Sequence, residues 1–408
     1  MIGVIADDYT GATDAAVAYR RVGLRTLLFF GTPASTSDLP PHDVLVVALK
    51  SRMLPAAEAT GLSLRALDWL RASGVDQVYF KFCSTFDSTP RGNIGPVLDT
   101  LAAALSARTV LLTPSSPEHR RTQYHGYLHV DGVLLAESHM RHHPLTPMTD
   151  SSLPRLLAAQ TDENVALIDL TTVRKGAAAV QNALADQSGY VLADAIDDED
   201  IRTLGRAVVS QPLIAGAAGL AGGLAEAYAQ EHPPSPIDDD TFPTEGPTAV
   251  LSGSCSARTL EQLEVMAGLG RPAFRLDPLA QTDLAAGALD WYDALPAGDA
   301  PIIYSSAPPD QLRDIQRKIG ADQAAAVLEE ATGRIAVGLV ERGVRRLVAA
   351  GGETSGAVVT ALGIDGAALG PEAARGVPWL YPVSGRPAAL LLKSGNFGGP
   401  DLLATASA

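Results

Sequence analysis

Cysteine is scarce in this chain: 408 residues contain only two, Cys83 and Cys255, which lie far apart and outside any CxxC motif. We therefore expect both thiols to be reduced. Positive charge is also in the minority, because 31 Lys and Arg stand against 46 Asp and Glu, and the net charge of −15 argues against nucleic acid or an anionic membrane as the main partner. No apolar run approaches the length of a membrane span and no basic, apolar leader precedes the first strand, so the sequence predicts a cytoplasmic protein.

Several catalytic motifs are missing as well. There is no GxxxxGK[ST], no kinase-type glycine-rich loop with HRD and DFG, and no GxSxG, which excludes a P-loop enzyme, a protein-kinase-type site and a nucleophile elbow. Six of the eight histidines fall between His119 and His143. His125 and His129 are separated by what reads as extended chain, which would place them about 13 Å apart, so no metal site is predicted there.

The length and patterning predict two domains. A chain of 408 residues is too long for one ordinary core, and its 46% hydrophobic residues make a large core possible. Strand and helix patterns alternate along both halves, which is typical of α/β domains with mostly parallel sheets flanked by helices. The clearest break is the proline-rich, acidic stretch 230–247, which reads as a linker. We therefore expect domains over residues 1–229 and 248–408.

The chain opens with a short apolar strand, Ile2–Ala6, which is followed at once by Asp7 and Asp8 and then by an alanine-rich helix. Open α/β sheets bind ligands beyond the carboxyl ends of their strands, so the two aspartates are candidates for a polar site. The alternative is that Asp8 or Thr10 merely caps the helix. The adjacent pair of acids favours the polar site.

A second polar segment follows a later strand and runs from Lys81 to Gly95. Cations suit a substrate carboxylate, and hydroxyl groups and amides suit alcohols. We therefore interpret this loop as a site for a small polyhydroxy acid, with a plain solvated loop as the alternative. Its candidate binding residues are Lys81, Asp87, Ser88 and Arg91.

In the second half, three strands each lead into a turn rich in glycine and hydroxyl residues. The turns are Gly253–Ser256, Gly351–Gly356 and Lys393–Gly398. Small residues at a strand-to-helix turn allow backbone amides and the helix dipole to face a phosphate. Any one of them could be an ordinary tight turn, but three in one domain predict a nucleotide site. An NAD-dependent oxidoreductase is less favoured, because GxGxxG with an acid about 20 residues later is absent.

These motifs together resemble the four-carbon acid sugar kinase family. The resemblance is carried by the N-terminal ADDYTGATD of residues 6–14, by the loop Lys81–Gly95 and by the three glycine-rich turns of the second half. It runs from residue 2 to about residue 402 with the motifs in the right order. Within the family, residues 134–148 look most like the 3-oxo-tetronate kinases, with the erythronate and threonate kinases as the alternative.

The resemblance implies a reaction and two binding sites. The reaction would be transfer of the γ-phosphoryl group of ATP, with Mg²⁺, to the C4 hydroxyl of a 3-oxo-tetronate. The sugar acid would bind the N-terminal domain, and the active site would lie in a cleft between domains that close around the linker. Homo-oligomerisation is left open. The residues implied for ATP binding are Ser254, Ser256, Gly351, Gly352, Glu353, Thr354, Ser355 and Gly395.

Phosphoryl transfer depends on positioning and charge neutralisation. The catalytic candidates for this step are Asp7 and Asp8. One of them could accept the proton of the attacking hydroxyl, and the other could hold the substrate or Mg²⁺. Neighbouring residues on a strand point to opposite faces, so both can serve one pocket only if the loop begins at Asp7. We favour Asp8 as the base.

Overall fold

The computed structural model describes residues 1–36, 39–143, 146–235, 245–279, 283–296, 298 and 300–408. The chain divides into two compact units, Met1–Ile237 and Asp238–Ala408. Each unit carries mostly parallel strands flanked by helices, which confirms the predicted α/β class. The limits at residues 229 and 248 stay a prediction, and residues 236–244 of the expected linker lie outside the described residues. No helix among the described residues is both long and apolar enough to cross a membrane.

The first unit alternates strands and helices. Its strands are β1 (Ile2–Ala6), β2 (Thr26–Phe30), β3 (Val44–Ala48), β4 (Gln77–Lys81), β5 (Thr109–Thr113), β6 (Arg121–Tyr124), β7 (Tyr127–Val130), β8 (Val133–Leu134), β9 (Val165–Ile168), β10 (Gly189–Ala193) and β11 (Leu213–Gly216). Its helices are α1 (Tyr9–Arg21), α2 (Ala56–Ala72), α3 (Ile94–Leu105), α4 (Leu153–Ala158), α5 (Leu170–Val173), α6 (Ala177–Ala185), α7 (Asp198–Val208) and α8 (Ala218–Glu231). Short 3₁₀ helices span Pro117–His119, Leu135–Glu137 and His139–His142.

The main sheet of this unit is parallel, with the strand order β2-β3-β1-β4-β11-β5-β10-β9. The chain leaves β1 through α1 towards the β2 side, whereas it leaves β4 through α3 towards β5 on the other side. The connections therefore change direction between β1 and β4. The crevice at such a switch point is where open α/β sheets bind their ligands.

The central strands are buried along their whole length. Every residue of β1 and of β3 is buried, as expected for apolar parallel strands that are covered on both faces. α1 packs against α8 and α8 against α7, whereas α2 packs against α3. Because right-handed crossovers that run in opposite directions lie on opposite faces, these two groups of helices cover the two faces of the sheet.

The histidine-rich segment forms a small antiparallel sheet of β6, β7 and β8. A two-residue turn joins β6 to β7 at His125 and Gly126, whose φ angles are 50° and 74°, as a hairpin turn with two left-handed residues requires. The extended chain predicted over residues 126–128 is confirmed for Tyr127 and Leu128, which lie in β7, but not for Gly126, which belongs to the turn. Within the segment 134–148, His139–His142 form a 3₁₀ helix, and Pro144 and Leu145 lie outside the described residues.

The second unit carries a second set of strands: β12 (Thr248–Ser252), β13 (Ala273–Arg275), β14 (Ile302–Tyr304), β15 (Arg346–Ala350), β16 (Gly366–Ala374), β17 (Val377–Pro382) and β18 (Ala389–Lys393). Its helices are α9 (Ala257–Gly268), α10 (Leu284–Asp293), α11 (Pro309–Ile319), α12 (Ala321–Glu341), α13 (Gly352–Ala361) and α14 (Leu402–Ala406). The strands β13-β14-β12-β15-β18 are parallel neighbours in that order, and β17 and β16 continue from β18 as antiparallel strands.

Candidate active site

The carboxyl ends of β3, β1 and β4 lie side by side at the switch point of the first unit. Ala6, the last residue of β1, is in register with Ala48 of β3 and with Lys81 of β4. The residues that follow these ends are therefore neighbours. The structure thus brings the predicted Asp7 and Asp8 close to the predicted Lys81.

Asp7 is buried and forms a bidentate pair with Arg52, which follows β3. The Nε and Nη2 groups of Arg52 donate to Oδ2 and Oδ1 of Asp7, each at 2.8 Å. Burial raises the pKa of the Asp7 carboxyl, and the hydrogen bonds and charge of Arg52 oppose that rise. The backbone N–H groups of Ser51 and Arg52 also donate to the Asp7 carbonyl, at 3.0 and 3.1 Å. Asp7 therefore fixes both the turn and the guanidinium of Arg52.

Asp8 combines the two roles weighed from the sequence. As the N-cap of α1, it accepts a hydrogen bond from the Gly11 N–H through Oδ1 at 2.9 Å. The same oxygen lies 2.7 Å from Nη2 of Arg52, so the cap is also one half of an ion pair. Oδ2 accepts no hydrogen bond from any described residue, and the side chain is 30% exposed. One oxygen of Asp8 is therefore open to a ligand.

Lys81 is a buried cation beside this pair, with 3% of its surface exposed. Its ammonium donates to the Phe82 carbonyl at 2.8 Å, and it forms no ion pair within the part of the chain that the structure describes. Gly11 makes room for it, because a Cβ at that position would lie 2.7 Å from Nζ of Lys81 and 2.5 Å from Oδ1 of Asp8. The glycine of the N-terminal motif therefore permits a close approach of helix and cation.

Asn93 holds the turn that carries Arg52. Its Nδ2 lies 2.8, 3.2 and 2.9 Å from the carbonyl oxygens of Ser51, Arg52 and Leu54, and the side chain is buried. The far end of the Lys81–Gly95 loop is thereby tied to the end of β3.

The other predicted substrate residues lie in different surroundings. Asp87 accepts hydrogen bonds from Thr85 Oγ1 at 3.1 Å and from the thiol of Cys83 at 3.4 Å. Burial raises the pKa of this thiol, the charge of Arg52 lowers it and that of Asp87 raises it, so both charges act on Cys83. Ser88 is buried, and its Oγ accepts from Gln160 Nε2 at 2.9 Å. Arg91 is exposed, and its guanidinium has no hydrogen bond or ion pair with any described residue.

The second unit presents its own row of strand ends. Ser252 of β12 is in register with Ala350 of β15, which is in register with Lys393 of β18. The three glycine-rich turns begin at these residues. The structure therefore brings the three predicted turns together at one edge of the strands of the second unit.

Ser256 joins the first turn to the third. It is the N-cap of α9, where its Oγ accepts from the Thr259 N–H at 3.2 Å, and the same hydroxyl donates to the Gly395 carbonyl at 2.6 Å. Thr259 Oγ1 donates to that carbonyl as well, at 2.9 Å. Ser254 Oγ lies 3.3 Å from Ser256 Oγ. These hydroxyls fix the backbone of the third turn against the start of α9.

Lys393 is a buried cation beneath these turns, with 1% of its surface exposed. Its ammonium donates to Thr259 Oγ1 and to the Gly395 carbonyl, both at 2.9 Å. Burial, aided by the nearby charge of Arg258, lowers the pKa of Lys393 to about 8. The ammonium therefore loses its proton at mildly alkaline pH.

Glycine is needed where the turns meet. A Cβ at Gly395 would lie 2.6 Å from Ser254 Oγ, and one at Gly253 would lie 2.4 Å from Thr354 Oγ1. Gly351 has a φ of 125°, a conformation that suits glycine alone. These positions allow three backbone segments to approach one another closely.

The predicted residues of the second turn surround the start of α13. Gly351 is its N-cap, and Thr354 is buried against Gly253 and Gly351. Ser355 donates its backbone N–H to the Gly351 carbonyl at 2.9 Å. Gly352 and Glu353 are exposed, so the first turn of the helix is accessible. An accessible helix N-terminus favours the binding of an anion.

Sequence reasoning missed Arg52, Gln160 and Thr259, and it named Lys393 only as the start of a turn. Arg52 was detectable, because it comes shortly after a buried parallel strand, as Asp7 does. The contacts of Gln160 and Thr259 join segments 72 and 136 residues apart, which local sequence patterns do not reveal.

Two family descriptions match the chain. "Sugar-binding N-terminal domain" covers residues 2–224, and "Nucleotide-binding C-terminal domain" covers residues 249–403. The chain belongs to this family. Each match falls on the unit in which the corresponding candidate site was found.

Several relatives of the chain are named as kinases. The 3-oxo-tetronate kinase of Cupriavidus necator is 45% identical over 98% of this chain and 95% of its own length. The 3-oxo-tetronate kinase of Methylobacterium radiotolerans is 46% identical over 99% of this chain and 98% of its own length. These relatives confirm the resemblance to the four-carbon acid sugar kinases.

Solved structures of the family agree with the fold. A Haemophilus influenzae protein from a family of domains of unknown function has a TM-score of 0.88 and 40% identity, over 99% of this chain and 98% of its own. A Bordetella bronchiseptica protein of that same family, solved with bound citrate as a domain-swapped dimer, has a TM-score of 0.50 and 28% identity, over 100% of this chain and 97% of its own.

Proposed function

We propose that this member of the family is a 3-oxo-tetronate 4-kinase, which transfers the γ-phosphoryl group of ATP to the C4 hydroxyl of a 3-oxo four-carbon sugar acid. Relatives named 3-oxo-tetronate kinase align with nearly the whole chain, which confirms the predicted sugar-acid kinase class. The structural observation that carries the proposal is the buried Lys81 beside the Asp7–Arg52 pair at the switch point. Such a site can bind an anionic substrate next to carboxylates that receive its hydroxyl groups.

In this proposal the first unit binds the sugar acid. Lys81 and Arg91 bind its carboxylate, because neither cation forms an ion pair with any described residue. Ser88 and Asp87 contact its hydroxyl groups. Asp8 contacts the acceptor hydroxyl through Oδ2, and Asp7 acts through the guanidinium of Arg52, which it fixes at two atoms.

The second unit fits a nucleotide. The close approach of Gly395 to Ser254 and Ser256 leaves backbone groups rather than side chains at this edge, and α9 and α13 both begin there. We propose that the phosphates of ATP bind at these helix N-termini, with Lys393 as the buried positive charge behind them. The other proposed contacts come from the second turn: Gly351, Gly352, Glu353, Thr354 and Ser355.

Mg²⁺ fits this reaction as a companion of the nucleotide. Among the described residues, no group of three or more His, Cys, Asp and Glu side chains could hold a metal ion. Mg²⁺ usually keeps several waters and binds to substrate phosphates with one or two carboxylates. We therefore propose that Mg²⁺ arrives with ATP and neutralises charge that develops on the phosphates.

The test is an ADP-release assay on the purified full chain, with ATP and a panel of tetronates and 3-oxo-tetronates. We expect turnover with a 3-oxo-tetronate and little or none with erythronate or threonate, the substrates of the closest alternative. A thermal-shift comparison of ATP with NAD addresses the distant alternative, an oxidoreductase. Absence of ADP release with every acid, or stabilisation by NAD alone, would contradict the proposal.

Three further proposals accompany the function. We propose that the two units close on the substrates, which small-angle scattering with an ATP analogue and the sugar acid would detect as a more compact particle. We propose a homo-oligomer, in line with the dimeric Bordetella protein, and light scattering would measure its mass. Because ATP is a cytoplasmic substrate, we also propose the cytoplasm as the place of action.

A further inference from the structure

Asp14 is a third carboxylate near the end of β1, and its surroundings differ from those of Asp7 and Asp8. It lies on α1, three residues after Gly11, and is half-buried. Asp7 and Asp8 both contact Arg52. The carboxylate of Asp14, by contrast, has no hydrogen bond or ion pair with any residue that the structure describes. Both of its oxygens are therefore uncommitted.

Charged groups from three segments act electrostatically on the Asp14 carboxyl. Lys81 at the end of β4 and His119 in the 3₁₀ helix after β5 contribute positive charge, whereas Asp8 and Glu118 contribute negative charge. Helix α8, which packs against α1, has no titratable side chain over residues 218–225. Burial is the largest influence and raises the pKa of Asp14. Lys81 and His119 oppose this rise, and Asp8 and Glu118 add to it.

Two contacts hold the loop after β5, which carries Glu118 and His119, in place. His119 Nδ1 lies 2.9 Å from the Oγ of Ser116, which is buried. The Ser116 hydroxyl makes no other hydrogen bond among the described residues, so this contact serves to hold the imidazole in place. Arg21 of α1 pairs with Glu118 at 3.3 Å, which anchors the same loop to the helix that carries Asp14.

We propose that Asp14 accepts the proton of the acceptor hydroxyl, a role that rests on the kinase function proposed above. The hydroxyl oxygen forms a bond to the γ-phosphorus while the bond from this phosphorus to the β,γ-bridging oxygen breaks. ADP leaves with that electron pair, and the hydroxyl proton moves to a carboxylate oxygen of Asp14. Solvent then takes the proton. Asp8, which the sequence favoured as the base, holds the acceptor and Arg52 in position.

The three carboxylates differ in how many of their oxygens are already engaged by other groups. Asp7 has both oxygens hydrogen-bonded to Arg52, so a hydroxyl can reach it only by displacing a charge-assisted bond. Asp8 has one oxygen engaged by Gly11 and Arg52. Asp14 has neither oxygen engaged, and its burial favours the protonated form that a base must adopt in the transition state.

The first test compares the wild type with Asp14→Asn in the ADP-release assay with a 3-oxo-tetronate. We expect Asp14→Asn to lower kcat about 100-fold or more while both KM values change by less than about threefold. A thermal shift with ATP checks that the variant is folded. An active wild type with more than about a third of its kcat left in Asp14→Asn would overturn the role of Asp14 and leave the kinase function standing. A wild type inactive on every acid would overturn both.

The second test uses the pH dependence of kcat/KM and does not require loss of Asp14. The acidic limb should move to lower pH in Glu118→Gln, because Glu118 raises the pKa of Asp14. It should move to higher pH in His119→Asn, because the imidazolium lowers that pKa. We expect each shift to be on the order of a few tenths of a pH unit. If neither variant moves the acidic limb, or if the limb persists unchanged in Asp14→Asn, a group other than Asp14 accepts the proton.

Discussion

The guanidinium of Arg52 binds the carboxylate of Asp7 through two hydrogen bonds of 2.8 Å. The side chain of Arg52 is 20% exposed and that of Asp7 is 4% exposed. This pair ties the end of β3 to the end of β1 at the switch point of the sheet. Because Arg52 also lies 2.7 Å from Asp8, one guanidinium sets the geometry of both acids in the N-terminal motif. In the proposed function, stability and substrate positioning therefore depend on the same contact.

Arg52→Ala should lower the free energy of unfolding of the first unit by about 3 kcal/mol, because removal of one partner leaves the other charge buried and uncompensated. The chain has three tryptophans, and only Trp69 lies in the first unit. Urea unfolding followed by Trp69 fluorescence, with Trp291 and Trp379 replaced by Phe in every variant, reports on this unit.

The matched control is Arg155→Ala. Arg155 also forms a bidentate pair, with Asp150 at 2.8 and 2.6 Å, but its side chain is 60% exposed. Exposed pairs contribute little because water and salt screen them, so this change should destabilise the unit much less. Equal destabilisation by the two changes would show that burial of the Asp7–Arg52 pair does not matter.

Most of the parallel strands could be predicted from the sequence, because they are short apolar runs. β1 and β3 are buried throughout, and an apolar run of this kind between turn signals is typical of a strand covered on both faces. β13 and β14 were missed, because each has only three residues and offers no periodicity. The β16–β17 hairpin was also missed, since β16 mixes glycine and alanine with Glu372 and lacks the β-branched residues that mark strands.

The site could be predicted only where its residues follow strand ends in recognisable motifs. Asp7, Asp8 and Lys81 were found in this way, and so were the three glycine-rich turns. Which oxygen of each aspartate is engaged depends on Arg52, which lies 45 residues from Asp7, and sequence patterns do not encode such distant pairings. From the sequence, Asp14 was only a further acid of the N-terminal motif, with no role assigned to it. Its importance appears only when the loop carrying His119 is folded against that helix.

Arg91 tests the proposed carboxylate contact. Because it is exposed and unpaired among the described residues, Arg91→Ala should leave the fold intact. We expect KM for the sugar acid to rise about 10-fold or more, since an Arg–carboxylate contact is a charge-assisted hydrogen bond, whereas KM for ATP should not change. The control is Arg65→Ala on α2, another exposed arginine, which should change neither constant. A variant of Arg91 with unchanged KM for the acid would remove this residue from the site.

Gly395 tests the proposed nucleotide site. In Gly395→Ala the new Cβ would lie 2.6 Å from Ser254 Oγ and 3.0 Å from Ser256 Oγ, so these hydroxyls or the third turn must shift. We expect the affinity for ATP, measured by calorimetry without sugar acid, to fall about 10-fold or more. Gly268→Ala at the other end of α9 is the control, because a Cβ there meets nothing within 4 Å. If Gly395→Ala binds ATP like the wild type, the phosphates lie elsewhere.

The lowered pKa of Lys393 predicts that the free energy of unfolding rises with pH in the alkaline range. Its pKa in the folded chain is about 8, below the ordinary lysine value of 10.5. Between these values the unfolded chain binds more protons than the folded one, so stability should increase as the pH rises through this window. Lys393→Met lacks this titration. Between pH 7 and pH 10, the free energy of unfolding of the wild type should therefore rise by about 1–2 kcal/mol more than that of the variant, after allowance for screening by solvent.

The same titration should weaken nucleotide binding. A protonated Lys393 adds positive charge behind the proposed phosphate site, so the affinity for ATP should decline as the pH rises past about 8. Calorimetry at pH 7 and pH 9.5 on the wild type and on Lys393→Met measures this directly. The variant should bind ATP more weakly at pH 7 and should lack the further decline. A decline of equal size in both proteins would mean that another group, or ATP itself, causes the pH dependence.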